Sequence, residues 1–442
     1  MSDSKINSSK EKIIQDLLRP INFSLSFKIW MGFLTVGLLV CLYAYTIQLQ
    51  KGLGVTGLRD YVSWGMYISN FVFFVASSLI GMLISSVLGL SGQKWITPIT
   101  RIAEIIAVAF SAVAGLVIIS DMGRPDRLIY VLTHGRLQSP ILWDITVVTT
   151  YVIISTLLLY LPLLPDIAIC KNHLTTIPRW QKKIYDILSL GWSDKPEQTE
   201  VIKKAVHILL ILIIPVALAI HTVTSWLFAS TLRVGWDSTI FGPYFVVGAF
   251  VAGTSAVIIA MYFFRKSYKL HDYITDFHFD KMAKLLILVS LVYLYFNINE
   301  YLVPAYKMKQ GDAVHLHEIF AGRWSLMFWG IQLLGLIIPL ILLLFRSMRK
   351  PFPMLIIAIF VFAGSWFKRY LIVVPPEEHP YLPIQYEPKG FHFYTPTLIE
   401  IAITLASFIL VLMIITILSK FFPVIPVKEM IHENNNIDSN EK

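Results

Sequence analysis

Charge is scarce in this sequence. Asp, Glu, Lys and Arg make up 15% of its 442 residues and hydrophobic side chains 56%, whereas soluble proteins carry about 25% charged residues. That shortage excludes an ordinary soluble chain. Cysteine is scarcer still: there are two, Cys41 inside the first apolar run and Cys170 in what reads as a later loop. Two thiols cannot hold an iron–sulfur cluster, and their spacing makes no CxxC redox pair. A disulfide between them is not expected either, because Cys41 lies at mid-membrane depth, and both read as small, inert apolar residues. Histidines inside apolar runs occur in one run alone, as His207 and His221. The facing pair that a transmembrane b-type haem needs is therefore missing. Walker, GxGxxG and HExxH patterns are absent where they would matter. The first 26 residues are polar and of mixed charge, without the basic-then-apolar layout of a cleavable signal peptide.

What the sequence does have is apolar runs of about twenty residues, the length that crosses a bilayer as a helix. Ten are read, at 27–49, 61–90, 99–121, 140–164, 204–231, 242–264, 282–304, 322–345, 352–374 and 396–421. They are too long for the roughly ten-residue strands of a barrel, so the fold class is all-α and polytopic. The second and fifth runs look long, which predicts tilt or projection beyond the lipid. An even number of spans puts both termini on one face. Of the 37 Lys and Arg, 25 fall at the termini and around the loops after runs two, four, six and eight, against 12 on the opposite face. By the positive-inside rule both termini are cytoplasmic, as in a multi-pass protein of the bacterial cytoplasmic (inner) membrane. The formal charge of +9 follows from this bias, so no nucleic acid is needed as a partner. Basic tracts such as WQKKIYDIL and FFRKSYKLHDY read as cytoplasmic flanks in contact with anionic membrane lipid.

Ionisable residues inside such runs cost about 2.5–3.5 kcal/mol each at mid-helix and are functional by default. Glu104 and Arg101, near the cytoplasmic start of run three, read either as an i,i+3 ion pair or as part of a proton path. The stretch SDMGRPDRLIYVLTHGRLQSPILWD links runs three and four on the outer face. Asp121 ends one helix, where Gly123 and Pro125 stop it, and its unfavourable place at a helix C-terminus calls for a cation, with Arg124 the nearest. Asp144 stands just inside the next helix, for which Ser139 is the expected N-cap and Pro140 the first residue. Two acids set against arginines there read as proton-exchanging groups or as a solvated, salt-bridged turn. His221 is either a packed core histidine or a partner for a buried head group. Glu300 ends run seven in YFNINEYLVP, as a functional acid or a cap. Run three begins ITRIAEII and ends at Asp121, while run seven begins FDKMAKLL and ends at Glu300. This echo suggests two related four-helix bundles, over 61–231 and 242–374, flanked by helices 27–49 and 396–421 with cytoplasmic segments 1–26 and 422–442.

The runs ITPITRIAEIIAV, DMGRPDRLIYVL, SPILWDITVVTTYVIISTLLLYLPLLPDIA and HTVTSWLFASTLRVGWDSTIFGPYFVVGAFVAG together resemble the NrfD/PsrC family, the membrane subunits of polysulfide, nitrite and related quinone-linked reductases. The likeness spans residues 60 to 345. It implies two four-helix bundles, a quinone site (menaquinone the expected species) in the first bundle near the outer face, and no haem or iron–sulfur cluster in this chain. It also implies a ferredoxin-like iron–sulfur subunit docked on that face, with multihaem cytochrome and molybdoenzyme-like subunits as further candidate partners. Carried over by position, Asp144 is the aspartate of the WD motif. Asp121 stands where members from alternative complex III have a histidine, and Asp237 replaces a frequent histidine in GWHSTIF. Leu227 stands where such members have an aspartate, which removes a group from their proposed pumping path and favours the menaquinone-reductase or sulfur-metabolism branch. The resulting candidates for quinone binding and proton transfer are Asp121, Arg124, Asp144, His221, Tyr67, Asn70 and Tyr151, with Glu104, Arg101, Glu300 and Asp237 along a proton path. The rival readings are a secondary transporter, whose helices break at mid-membrane at positions such as Pro215 and Pro339, and a passive membrane anchor of a redox complex.

Overall fold

The computed structural model describes all residues except 1, 22, 89, 175–176, 380–391 and 441–442. Among the described residues, ten helices are long and apolar enough to cross a membrane. They are α1 (Leu25–Lys51), α2 (Met66–Ser86), α3 (Thr97–Asp121), α4 (Pro140–His173), α5 (Pro196–Ala229), α6 (Phe241–Ser267), α7 (Asp276–Lys307), α8 (Ser325–Leu344), α9 (Pro351–Glu377) and α10 (Leu398–Phe421). The chain is thus an all-α, multi-pass membrane protein. The face away from both termini, which carries the loop 122–139, is called distal below.

Packing follows side-chain character. Every residue from Met66 to Leu83 of α2 is buried, as an all-round apolar helix requires, and α2 packs on α3, α6, α9 and α5. Small residues bring the backbones close. A β-carbon on Gly81 would lie 2.0 Å from the Ala103 carbonyl of α3, and one on Gly253 of α6 would lie 2.2 Å from Ile80. Helices α3 to α5 continue from α2 by neighbour contacts α3–α4 and α4–α5, and α6 to α9 pack α6–α7, α8–α9 and α6–α9. The largely exposed α1 pairs with α10, which in turn rests on α3.

Several boundaries differ from those read off the apolar runs. The second helix is not long: residues 61–65 form a loop, and α2 starts at Met66 and ends in a π turn, Ile84–Leu88. The longest are α4 and α5, at 34 residues each, about 51 Å at 1.5 Å per residue, well beyond the roughly 30 Å hydrocarbon layer. Helix α4 runs on through Pro162 and Pro165, so Cys170 is a buried helical residue and not part of a loop. Pro215 lies inside a continuous α5. Helix α8 absorbs Pro339 through a π stretch, Ile331–Ile337, and continues as Ile338–Leu344. Neither proline splits its span into the half-helices of a transporter site.

Candidate functional site

Pro140 opens α4, and Ser139 precedes it in N-cap position, but the serine hydroxyl makes no capping bond. One turn further, Asp144 is buried at 4% exposure. Thr224 of α5 donates its hydroxyl to Asp144 Oδ1 at 2.5 Å. His221 lies three residues before Thr224, on the same helix face, and is 2% exposed. Its Nδ1 is 3.2 Å from the Ala217 carbonyl. Because a carbonyl only accepts, Nδ1 carries the proton, and Nε2 presents a lone pair. That Nε2 is buried and has no partner.

The complement comes from α9. Arg369 is 2% exposed, its guanidinium lies 4.8 Å from the centre of the Phe245 ring, and its charge reaches His221. A β-carbon on Gly248 would sit 2.6 Å from Arg369 Nη2, so the absent side chain makes the room the guanidinium occupies. Arg369 Nη1 is buried without a hydrogen-bond partner. Leaving a charged group so is costly, by several kcal/mol in general. A charged donor and a neutral acceptor are thus each left unpaired at depth.

Asp121 goes elsewhere. The ionisable groups that act on it belong to α9 and α10, and its own charge reaches Tyr67 of α2. Gln48 of α1 donates to the Ser120 carbonyl at 2.7 Å and accepts from the Tyr67 hydroxyl at 2.6 Å. Glu400 accepts from Gly57 N at 2.7 Å, Thr397 N at 2.8 Å and the Tyr394 hydroxyl at 2.6 Å. Glu377 accepts from Trp64 N at 2.8 Å and Ser63 Oγ at 3.2 Å. Asp121 Oδ1 is buried without a hydrogen-bond partner. Arg124 does not compensate it: Arg124 is exposed and bonds Asp126 through two nitrogens, at 3.0 and 2.9 Å. The expected pair of acids facing arginines is therefore not formed.

Three other candidates serve as braces. The Asn70 amide nitrogen donates to Thr404 of α10 and its oxygen accepts from Trp366 of α9, both at 2.7 Å. Tyr67 bonds Gln48 as above, and the Tyr151 hydroxyl donates to the Ser78 carbonyl at 2.8 Å, tying α4 to α2. At the opposite end, Arg101 does pair with Glu104 (3.6 Å), and also with Asp166 of α4 at 3.2 Å. Asp166 further accepts from the backbone of Val427 and Lys428 at 3.3 and 3.0 Å. The Arg101–Glu104 side of this network lines a cavity of about 400 Å³. Glu300 is no mere cap: it binds Lys368 Nζ at 2.7 Å and the Tyr244 hydroxyl at 2.9 Å. Asp237 is an exposed loop residue, and partial burial and nearby Asp312 hold its carboxyl above the usual range.

Sequence reasoning missed Lys368 and Arg369, assigned with the distal loops although SWFKRYLIVV is a charged pair inside an apolar run. The cost of intramembrane charge was the available signal. It also missed Glu400, whose only signal was a Thr-x-x-Glu capping box ahead of α10. Gln48 and Glu377 carried none.

Ten spans enclosing ionisable residues at depth define a polytopic helical membrane protein with an internal polar site. The chain belongs to the family described as polysulphide reductase, NrfD, which matches residues 54–377. It is similar to a putative dimethyl sulfoxide reductase membrane subunit of Halobacterium salinarum, 29% identical over 85% of this chain and 86% of that one. A selenate reductase subunit of Mesobacillus selenatarsenatis is 25% identical over 92% and 95%. An Hdr-like menaquinol oxidoreductase integral membrane subunit of Archaeoglobus fulgidus is 23% identical over 88% and 92%.

Proposed function

We propose that this chain is the quinone-interacting membrane subunit of a multi-subunit respiratory oxidoreductase. It exchanges electrons between menaquinone and an iron–sulfur partner of ferredoxin type docked on the distal face, with proton transfer at the headgroup. The observation that carries this reading is that Arg369 Nη1 and His221 Nε2 are each buried without a hydrogen-bond partner. A quinone oxygen accepts from the guanidinium; in the quinol form its hydroxyl also donates to the imidazole. Asp144, fixed through Oδ1 by Thr224, is the acid–base group for the second hydroxyl. This ligand lies where the bundle of residues 61–231 meets α9 of the bundle 242–374. The relatives' names support the reading: two are subunits of reductases and one belongs to a menaquinol oxidoreductase. The basic bias of the other face makes the distal face the outer one, and moving Lys368 and Arg369 out of the distal loops sharpens that bias.

The test is purification from the native membrane in mild detergent, with mass spectrometry of co-purifying chains and extraction of bound quinone. An iron–sulfur subunit together with stoichiometric quinone is the expected result. A solitary, quinone-free protein overturns it in favour of a transporter, and a complex assembled without quinone reduces the chain to an anchor.

A further inference from the structure

The quinone reading leaves unused a buried polar cluster in the second half of the chain. Tyr244 of α6 stacks on Tyr293 of α7, with ring centres 5.1 Å apart and planes at 17°, and their hydroxyls are 3.3 Å apart. Tyr244 is fully buried and Tyr293 is 8% exposed. The Tyr244 hydroxyl also reaches Glu300 Oε2 at 2.9 Å, and the same oxygen accepts from Lys368 Nζ at 2.7 Å. Lys368 in turn donates to the Tyr301 hydroxyl.

Hydrogen-bond chemistry gives this chain a direction. A carboxylate that pairs with an ammonium only accepts, so the single Tyr244 proton points at Glu300. Tyr244 is placed to donate to the Tyr293 oxygen as well; with its one proton on Glu300, the Tyr244 oxygen is open to the Tyr293 hydroxyl once that hydroxyl rotates towards it. One end of the row adjoins Arg369: a β-carbon on Gly248 would meet Arg369 Nη2 at 2.6 Å and Tyr293 Cε2 at 3.0 Å, so both side chains pack against Gly248. The other end, Glu300, keeps 11% side-chain exposure and lies towards the distal end of α7.

We infer that Tyr293, Tyr244 and Glu300 form a proton relay between the Arg369–His221 pocket and the distal face, with Lys368 holding the terminal carboxylate in place. The relay rests on the quinone reading. Written for quinol oxidation, the headgroup O–H bond that faces His221 breaks and its proton passes by way of His221 Nε2 to the Tyr293 oxygen. The Tyr293 proton passes to Tyr244, the Tyr244 proton passes to the Glu300 carboxylate, and Glu300 releases it to water. Both hydroxyls rotate back before the next turnover. The second proton goes to Asp144, and the electron pair leaves one electron at a time to the iron–sulfur partner.

The test uses the whole complex. Bound quinone is quantified first, then quinol turnover in H2O and D2O, for the unmodified protein, Tyr244→Phe, Tyr293→Phe and, as a control on the exposed side of α7, Tyr295→Phe. Phenylalanine keeps the stacking and removes only the O–H. The two relay variants are expected to retain quinone within twofold, to turn over about tenfold or more slowly, and to show a larger solvent isotope effect. Tyr295→Phe should match the unmodified protein. Glu300→Gln leaves Lys368 unpaired, so if it fails to assemble, the double variant Glu300→Gln/Lys368→Gln replaces it and should show the same loss. Relay variants that bind quinone and keep the unmodified rate and isotope effect overturn the relay alone. An unmodified complex with neither quinone nor quinol activity overturns the functional reading and the relay with it.

Discussion

Asp121 and Asp144 flank the same loop, and in sequence they look like a matched pair. In the fold they face different company. Asp121 ends among carboxylates, Glu377 and Glu400, with one oxygen unpaired. Asp144 is held by a hydroxyl donor on α5, one turn from the buried, unpaired imidazole nitrogen of His221. A group surrounded by like charges gains nothing from a further anionic or carbonyl ligand, whereas a donor and an acceptor left open at depth do. This contrast is why the proposed ligand is assigned to Asp144.

Replacing Asp144 by Asn should break this contrast most severely. Loss of a positioned acid–base group typically costs about 100-fold or more, so quinol turnover should fall by about that factor with assembly intact. A rate within threefold of the unmodified complex would remove Asp144 from the chemistry. Arg369→Gln comes next. A hydrogen bond to a charged group is worth about 1.5–3 kcal/mol, so quinone affinity should drop roughly 10- to 100-fold, read as quinone lost during purification. Full retention would mean that the guanidinium has another partner. Asp121→Asn should weaken turnover by only a few-fold and leave the complex assembled. A loss as deep as that of Asp144→Asn would show that the two acids act together after all.

The smallest effect concerns stability beside these sites. His315, in the short helix Gln310–Phe320 between α7 and α8, is buried, and its imidazole is pushed down to about 3 by burial and by the charges of His379 and Lys368. The unfolded imidazole titrates near 6.5. The folded state thus stays neutral where the unfolded state takes up a proton. Stability present above pH 6.5 is lost as pH falls from there towards 3, by up to about 1.4 kcal/mol per pH unit. His315→Asn should flatten the fall in Tm between pH 6.5 and 5. An unchanged slope would assign the acid sensitivity to other groups.

The ten spans were legible because their signal is local: about twenty apolar residues, punctuated by Pro, Gly and charge. The ends were less so: run five reads as long, as α5 is, but run four ends at 164 whereas α4 continues to His173. The site was half legible. Asp144 and His221 stand out as polar residues in apolar runs, and Arg101 and Glu104 as an ion pair, although Asp166, the third member of that network, comes from a different helix. Arg369 and Lys368 are visible by the same rule, since both lie inside run 352–374.

The sequence by itself determined the class of protein, the number of its crossings and the stock of charges in them, because apolar length and composition are properties of contiguous chain. Only the tertiary structure decided which charges meet. Arg124, near Asp121 in sequence, bonds Asp126 instead, Asp144 is held by Thr224, and Glu300 binds Lys368 of a helix two spans further on. In a bundle whose backbone hydrogen bonds are satisfied within each helix, the partners of a buried polar group are set by how the helices rotate and pack, and that is not written in any single run.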